Sequence, residues 1–429
     1  MKQQTLLVLI TFSLLHTLFS CKKVEENVDK KRVLISSDIG GTDPDDYQSA
    51  IHLFMYADLF DIEGLVSSPY GPGRKDDFIK IIDIYAQDYP LLKKKSALFP
   101  LPNTLKSVCK QGAINAAPYK GFSLPTKGSN WIIKCAKKKD DRPLWVLVWG
   151  GLEDLAQALH DAPEIKENIK VYWIGGPNKK WSVNAYSYIA EHHPDLWMIE
   201  ANATYRGWFM DNDSPADLKS NAFYDNYIKG NGAMGNAFKN FYNGDIKMGD
   251  TPSLAYVMSG EPNDPTSESW GGRFIPIQHS SRTVFENHST INDTVSAYEV
   301  LEYRFKGPPS MISKDSTAFL FTINNQTWPG YYIDNGTYAV RYAPKKPEIG
   351  KYVLNSDSND FNGQKGAYVS TIPWPGKFKQ SDYKLGSNWY SDIEDSTYFI
   401  REQQGAKTIS KHRKMFLEDW AKRWSWLKE

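Results

Sequence analysis

Ser36-Ser37-Asp38-Ile39-Gly40-Gly41-Thr42-Asp43-Pro44-Asp45-Asp46 closes an apolar run that begins at Val33 and leads directly into helical text. In an open α/β sheet such a junction is the carboxyl edge of a strand, where ligands bind. Four Asp within nine residues, held by two Gly and a Pro, crowd carboxylates into one tight loop. Close like charges raise one another's pKa unless a cation neutralises them. Oxygen-only ligation at a loop favours Ca2+, with Mg2+ as the second choice. The same residue types also suit a helix start and a turn, so this stretch alone leaves both readings open.

Outward from this loop, residues 32 to about 259 alternate short apolar runs with helix-period segments, which predicts an α/β sheet with crossover helices. The strand candidates are Val33–Ser36, Ile62–Ser67, Leu144–Trp149, Val171–Ile174 and Leu196–Glu200. Asp76–Asp88 sets Phe78, Ile81, Ile82 and Tyr85 on one helical face, and Leu152–Leu159 repeats the pattern with Leu152, Leu155, Ala156 and Leu159. Beyond Pro265 the text turns β-like: Tyr298–Phe305, Ala318–Ile323, Tyr331–Ile333, Thr337–Tyr342, Lys351–Leu354 and Ala367–Ile372 are short strand candidates. Asp334-Asn335-Gly336 between two of them is a hairpin signal. The end returns to helix, with Met415, Phe416, Trp420, Trp424 and Leu427 at helical spacing. The predicted organisation is therefore an α/β domain over 32–284, a small β-rich, sandwich-like insert over 285–378, and a helical segment over 379–429 that packs back on the first domain.

A formal net charge of +1 gives no global field for nucleic acid, which is excluded as a partner class. The aromatic share of 14% favours ligands with flat faces such as sugars, although large cores also use aromatics. Residues 1–20 read as a signal peptide: Leu6–Phe19 is an apolar run too short to span a bilayer, preceded by Lys2. It ends Leu18-Phe19-Ser20-Cys21, similar to a bacterial lipobox, which predicts a lipid on Cys21, a charged tether over 21–31, and a location in the bacterial cell envelope, on the periplasmic or surface face of the outer membrane. Cys109 and Cys135 are the remaining thiols, compatible with a disulfide or with two buried singles.

The acidic loop is similar to the fingerprint opening the nucleoside hydrolases. It is closer still to the nucleoside-hydrolase-like family described as cellulose-binding. Further matches keep the family's order: Trp149-Gly150-Gly151-Leu152-Glu153-Asp154-Leu155, Ile174-Gly175-Gly176 ahead of Asn184, Gly249-Asp250-Thr251-Pro252-Ser253, and Ser269-Trp270-Gly271-Gly272-Arg273-Phe274. The resemblance covers about residues 32–280 and implies the hydrolases' open, mostly parallel sheet with flanking helices. It also implies a Ca2+ site at Asp38, Asp46, the carbonyl of Glu153 and Asp250, with Asp38 as general base. Asp45 and Asn184 would bind sugar hydroxyls, and Trp270 and Arg273 could line the mouth or simply pack. The implied chemistry is attack of a water, held and acidified by the ion, on a sugar's anomeric carbon.

The departures from the family pattern bear on the substrate. Ser36 and Ser182 replace hydrolase acids, and Gly249 stands where one subclass carries the leaving-group His. Other acid candidates are His279 and Glu268. The metal pocket is expected to persist while base recognition is lost, so the predicted ligand is a carbohydrate or nucleoside-like small molecule. The expected function is hydrolysis of an N- or O-glycosidic bond of a furanosyl or other sugar. The alternative is a non-catalytic carbohydrate-binding lipoprotein on the same fold.

Overall fold

The computed structural model describes residues 30–69, 71–210, 215–309 and 312–428. The signal peptide and lipobox readings, and most of the tether, lie outside these residues. No helix among the described residues is long and apolar enough to cross a membrane.

The first half of the chain builds a sheet from β1 (Lys31–Ser37), β2 (Phe60–Ser67), β3 (Cys109–Gln111), β4 (Leu144–Trp149), β5 (Ile169–Ile174) and β6 (Met198–Ala201). Their spatial order is β3-β2-β1-β4-β5-β6, all parallel. Side chains alternate between two cores: Val33 and Ile35 of β1, with Trp145, Leu147 and Trp149 of β4, face one helical layer, while Leu34, Val146 and Val148 face the other. Burial on both faces explains why these strands read as continuous apolar runs. The helix Lys75–Lys95 buries Phe78, Ile81, Ile82 and Tyr85, and the helix Glu153–Asp161 buries Leu155, Ala156 and Leu159. Chain order reverses between β1 and β4, so the crevice above their carboxyl ends is the place where an open α/β sheet binds ligands.

The chain then runs through β7 (Phe274–Pro276) and β8 (His279–Ser280) into a second sheet. Its strands are β9 (Arg282–Phe285), β10 (Thr294–Ser296), β11 (Val300–Lys306), β12 (Thr317–Ile323), β13 (Gln326–Asp334), β14 (Thr337–Tyr342), β15 (Glu348–Asn355) and β16 (Lys365–Thr371). Asn335 and Gly336 both take positive φ, 46° and 71°, which makes the β13–β14 connection a type I′ hairpin turn. The sheet order is β10-β16-β15-β12-β13-β14-β11-β9. Four strand spacings separate β11 from β15, ~19 Å if the sheet were flat. Yet the rings of Tyr303 and Tyr352, one on each strand, lie 5.0 Å apart. The insert is thus one sheet curled nearly into a barrel around its own aromatic core.

After the insert, β17 (Tyr383–Lys384) pairs with β8, and β18 (Trp389–Asp392) enters the main sheet between β6 and β7. This corrects the purely helical reading of 379–429: its first part is β structure, and the helix Arg413–Trp424 follows. That helix buries Phe416, Trp420 and Trp424 against the α/β core. Cys109 and Cys135 are free and buried, so the disulfide alternative is not the one realised.

Candidate functional site

The acidic loop leaves β1 and turns back sharply at its two glycines. Gly40 takes φ +83°, the left-handed region, and the amide of Gly41 donates to the carbonyl of Asp38 at 2.9 Å. The helix Asp45–Met55 starts at once, so Asp45 and Asp46 sit in its first turn, where negative charge is favoured. The Ser37 hydroxyl donates to Asp46 Oδ1, and also accepts from the amide of Ile39 at 2.9 Å. Opposite them, Asp250 heads the helix Thr251–Met258 without capping it through its side chain. Trp149 at the end of β4 fixes that helix start, its Nε1 donating to Ser253 Oγ at 2.8 Å.

Asp45, Asp46 and Asp250 each present a carboxylate oxygen, and these atoms lie within 4.8 Å of one another. Burial pushes the carboxyls of Asp46 and Asp250 well above their usual range, and their neighbours' negative charge adds to it. Asp38 and Asp45 are pushed up to about 7, also chiefly by burial. The nearby Lys247 ammonium is engaged by Asp43. Asp250 Oδ2 is buried with no hydrogen-bond partner among the described residues. An all-oxygen set with an orphaned acceptor and an excess of negative charge fits a hard divalent cation.

Two cavities of about 500 and 360 Å3 adjoin here and share Asp38, Asn178 and Trp181 in their walls. The larger has Asp43, Asp45, Asp46 and Asp250 in its walls, and the smaller is lined by Pro69, Ile114, Gly151, Glu153 and Ser182. Gly150 and Gly151 of the loop after β4 are required by close approach. A Cβ at Gly150 would come within 2.9 Å of the Asp38 carboxylate, and one at Gly151 within 2.1 Å of Glu153 Oε2. The Glu153 carboxyl is buried, and burial raises it to about 7 against the opposing effect of the Ser182 hydroxyl.

The structure distributes the expected site residues unevenly. Asp38, Asp45, Asp46 and Asp250 share the larger cavity, and Glu153, expected to offer its backbone carbonyl, lines the smaller one, its carboxylate not part of the three-carboxylate cluster. Asn184 lines neither cavity: its Nδ2 donates to the carbonyl of Ala117 at 3.1 Å, and Asn178 occupies the wall instead. Trp270 packs on the α/β core, and Arg273 donates to the carbonyl of Thr266 at 2.9 Å and pairs with Glu268 at 4.0 Å, so neither lines the mouth. His279 pairs with Asp382 at 2.9 Å and Glu268 with Lys411 at 2.6 Å, both away from the cavity walls. Trp181, Lys180, Gln326 and Lys345 of the larger cavity were not foreseen. The run Gly176-Pro177-Asn178-Lys179-Lys180-Trp181 after β5 stands in the ligand-binding position for the first two, but nothing in the sequence couples the insert's residues to it.

The family model for the cellulose-binding Sde182, nucleoside hydrolase-like domain matches residues 32–274. The chain belongs to this family. Residues 294–357 of the insert match a domain of unknown function, DUF5060. A nucleoside hydrolase-related hypothetical protein from Saccharophagus degradans, associated with carbohydrate metabolism, is similar in structure at 19% identity over 80% of this chain and 100% of its own, with TM-score 0.48. The inosine-uridine preferring nucleoside hydrolase of Bacillus anthracis aligns at 17% identity over 59% of this chain and 87% of its own, with TM-score 0.36. The purine-preferring ribonucleoside hydrolase of Gardnerella vaginalis aligns at 14% over 58% and 84%, with TM-score 0.34. No curated protein matches. This Sde182-family chain thus carries the nucleoside hydrolase-like fold with a curled β domain inserted late in it.

Proposed function

We propose that the protein is a lipid-anchored envelope hydrolase that cleaves the N- or O-glycosidic bond of a furanosyl or other sugar. One observation carries this reading: carboxylates of Asp45, Asp46 and Asp250, from two distant chain segments, converge at the end of a cavity that Asp38 also lines. Asp46 and Asp250 would hold a Ca2+ ion, with Asp45 or Asp38 completing the acidic set, and Mg2+ is the second choice. A bound ion supplies Lewis acidity beside the sugar. Asp38, in the wall common to both cavities, takes the proton from the attacking water as general base. Its neighbours stabilise the positive charge that develops on the sugar ring in the transition state. The glycosidic oxygen or nitrogen leaves toward the smaller cavity, where it takes up a proton from solvent water. The family's cellulose-binding description supports a sugar polymer or its fragments over a nucleoside.

A second reading, a carbohydrate binder without turnover, draws on Gly249, which offers no acid where one subclass of hydrolases has His. Calorimetric Ca2+ titration of wild type and Asp250→Asn, with product detection on nucleosides and furanosyl glycans for wild type and Asp38→Asn, separates the two. Ca2+ binding and turnover in wild type, each lost in its variant, is the expected result. Metal binding with no turnover on any substrate favours the binder, and no metal binding overturns the hydrolase. Anchoring through Cys21 is tested by metabolic labelling with a fatty acid, which Cys21→Ser must abolish.

A further inference from the structure

The larger cavity is lined both by the carboxylates and by the inserted β domain, through Gln326 and Lys345. The two domains are joined there by Trp181 and Trp328. Their rings stack at 4.8 Å and 18°, and Trp328 Nε1 donates to the carbonyl of Lys180 at 2.7 Å. One face of Trp181 is thereby backed by Trp328, while the residue stays 43% exposed in the walls of both cavities. A large ring backed by a second ring, with the Lys180 ammonium 4.5 Å from its centroid and much of its surface still exposed to the cavities, is a platform for a sugar ring that carries a negative group.

The adjacent lysines show what that sugar should carry. Lys179 is fully buried and makes an ion pair with Glu200 at 2.8 Å. Lys180, only 4% exposed, has instead neutral partners: Gln326 Oε1 at 2.6 Å and the rings of Trp181 and Trp328, whose centroids lie 4.5 and 5.6 Å from its Nζ. Burial first, and then the positive charge of Lys345 across the domain junction, which outweighs the negative charge of Glu348, lower its pKa to about 8. Glu348 is itself engaged by the Tyr368 hydroxyl at 2.9 Å. A buried ammonium facing another cation is costly unless an anion joins them. An ammonium has three donors, and Gln326 uses one.

We infer that the junction between the two domains is a subsite for an anionic sugar residue, its ring on Trp181 and its negative group between Lys180 and Lys345. It deepens the reading of the cavity as a glycan site and names the substrate class: an acidic glycan whose charged unit sits next to the unit facing the carboxylates. A uronate carboxylate and a sulfate ester share this chemistry.

The test is calorimetric binding of three probes to the full chain in EDTA: an oligogalacturonate, a sulfated galactan oligosaccharide and a neutral cello-oligosaccharide. One of the two anionic probes is expected to bind at least about tenfold more tightly than the neutral one, as charge-assisted hydrogen bonds imply, and the probe that does so identifies the anion. Lys345→Gln, at an exposed position, should erase that preference, and Trp181→Ala should weaken all three. Equal binding of all probes, a preference that survives Lys345→Gln, or no binding of either anionic probe at millimolar concentration overturns the inference. The readout needs neither metal nor turnover. Anion-selective binding without hydrolysis would leave the subsite standing and sink the hydrolase, while hydrolysis of neutral glycans by an unselective cleft would do the reverse.

Discussion

The amide of Gly249 donates to Asp45 Oδ2 at 3.1 Å, and a Cβ built on Gly249 would lie only 2.4 Å from that same oxygen. A side chain at residue 249 would therefore require the Asp45 carboxylate to shift. In one subclass of nucleoside hydrolases this position is His, and a His here would have to push the Asp45 carboxylate aside.

The first prediction follows from that contact. Gly249→Ala should leave the circular dichroism spectrum unchanged but weaken Ca2+ binding by about tenfold or more, because one ligand-bearing side chain is displaced and a 1.4 kcal/mol loss is tenfold. Ca2+ calorimetry of wild type and variant checks it. Unchanged affinity would show that Asp45 takes no part in holding the ion.

Calcium should also act on stability. A ligand that binds only the folded state at a concentration 100 times its Kd stabilises by about 2.7 kcal/mol. Thermal unfolding of wild type should shift upward on adding Ca2+ to EDTA-treated protein, and Asp46→Asn and Asp250→Asn should abolish most of that shift. A shift retained in both variants would place the ion elsewhere.

Glu302 supplies the pH test. Its buried carboxylate accepts from Arg282, Arg304 and Arg341 at about 2.7–2.8 Å. Burial alone would raise its pKa, but the guanidiniums, Arg341 first among them, outweigh it and hold the carboxyl at about 2. A folded-state pKa below the unfolded one contributes stability that is present above about pH 4.5 and is lost as pH falls through about 2, ~3 kcal/mol by linkage. Denaturant unfolding should show Glu302→Gln destabilised near pH 7, with the gap to wild type closing between about pH 5 and pH 2. A gap constant over that range would refute the assignment.

Cys109 and Cys135 should be inert in the folded protein. Burial raises their thiols to about 12 and about 11, so little thiolate forms near neutral pH. A thiol reagent should label neither under native conditions and both in guanidinium, and rapid native labelling of either would contradict their placement.

Much of the α/β fold was legible because parallel strands buried on both faces read as apolar runs: Leu144–Trp149 was foreseen to the residue. The insert's hairpin was legible through Asn335-Gly336, whose chemistry specifies the turn. The three-residue β3 and the mixed text of β18, Trp389-Tyr390-Ser391-Asp392, carry too little period to stand out. At the site, the clustered aspartates announced themselves because like charges rarely crowd without a purpose. Asn184, Trp270 and Arg273 were read from motif order, which cannot tell a cavity wall from the packing behind it. The Trp181–Trp328 stack is set by contact between distant parts of the chain, and no local pattern records it.

The main sheet is not finished until β18 slides between β6 and β7, and β18 is made after the whole inserted barrel. As the chain emerges from the ribosome, the earlier strands must wait with an unsatisfied border while the insert forms. The border closes only when the last forty or so residues arrive. Cutting the gene just after the insert should therefore yield an aggregation-prone fragment rather than a smaller folded protein, since an open strand edge invites pairing with other chains.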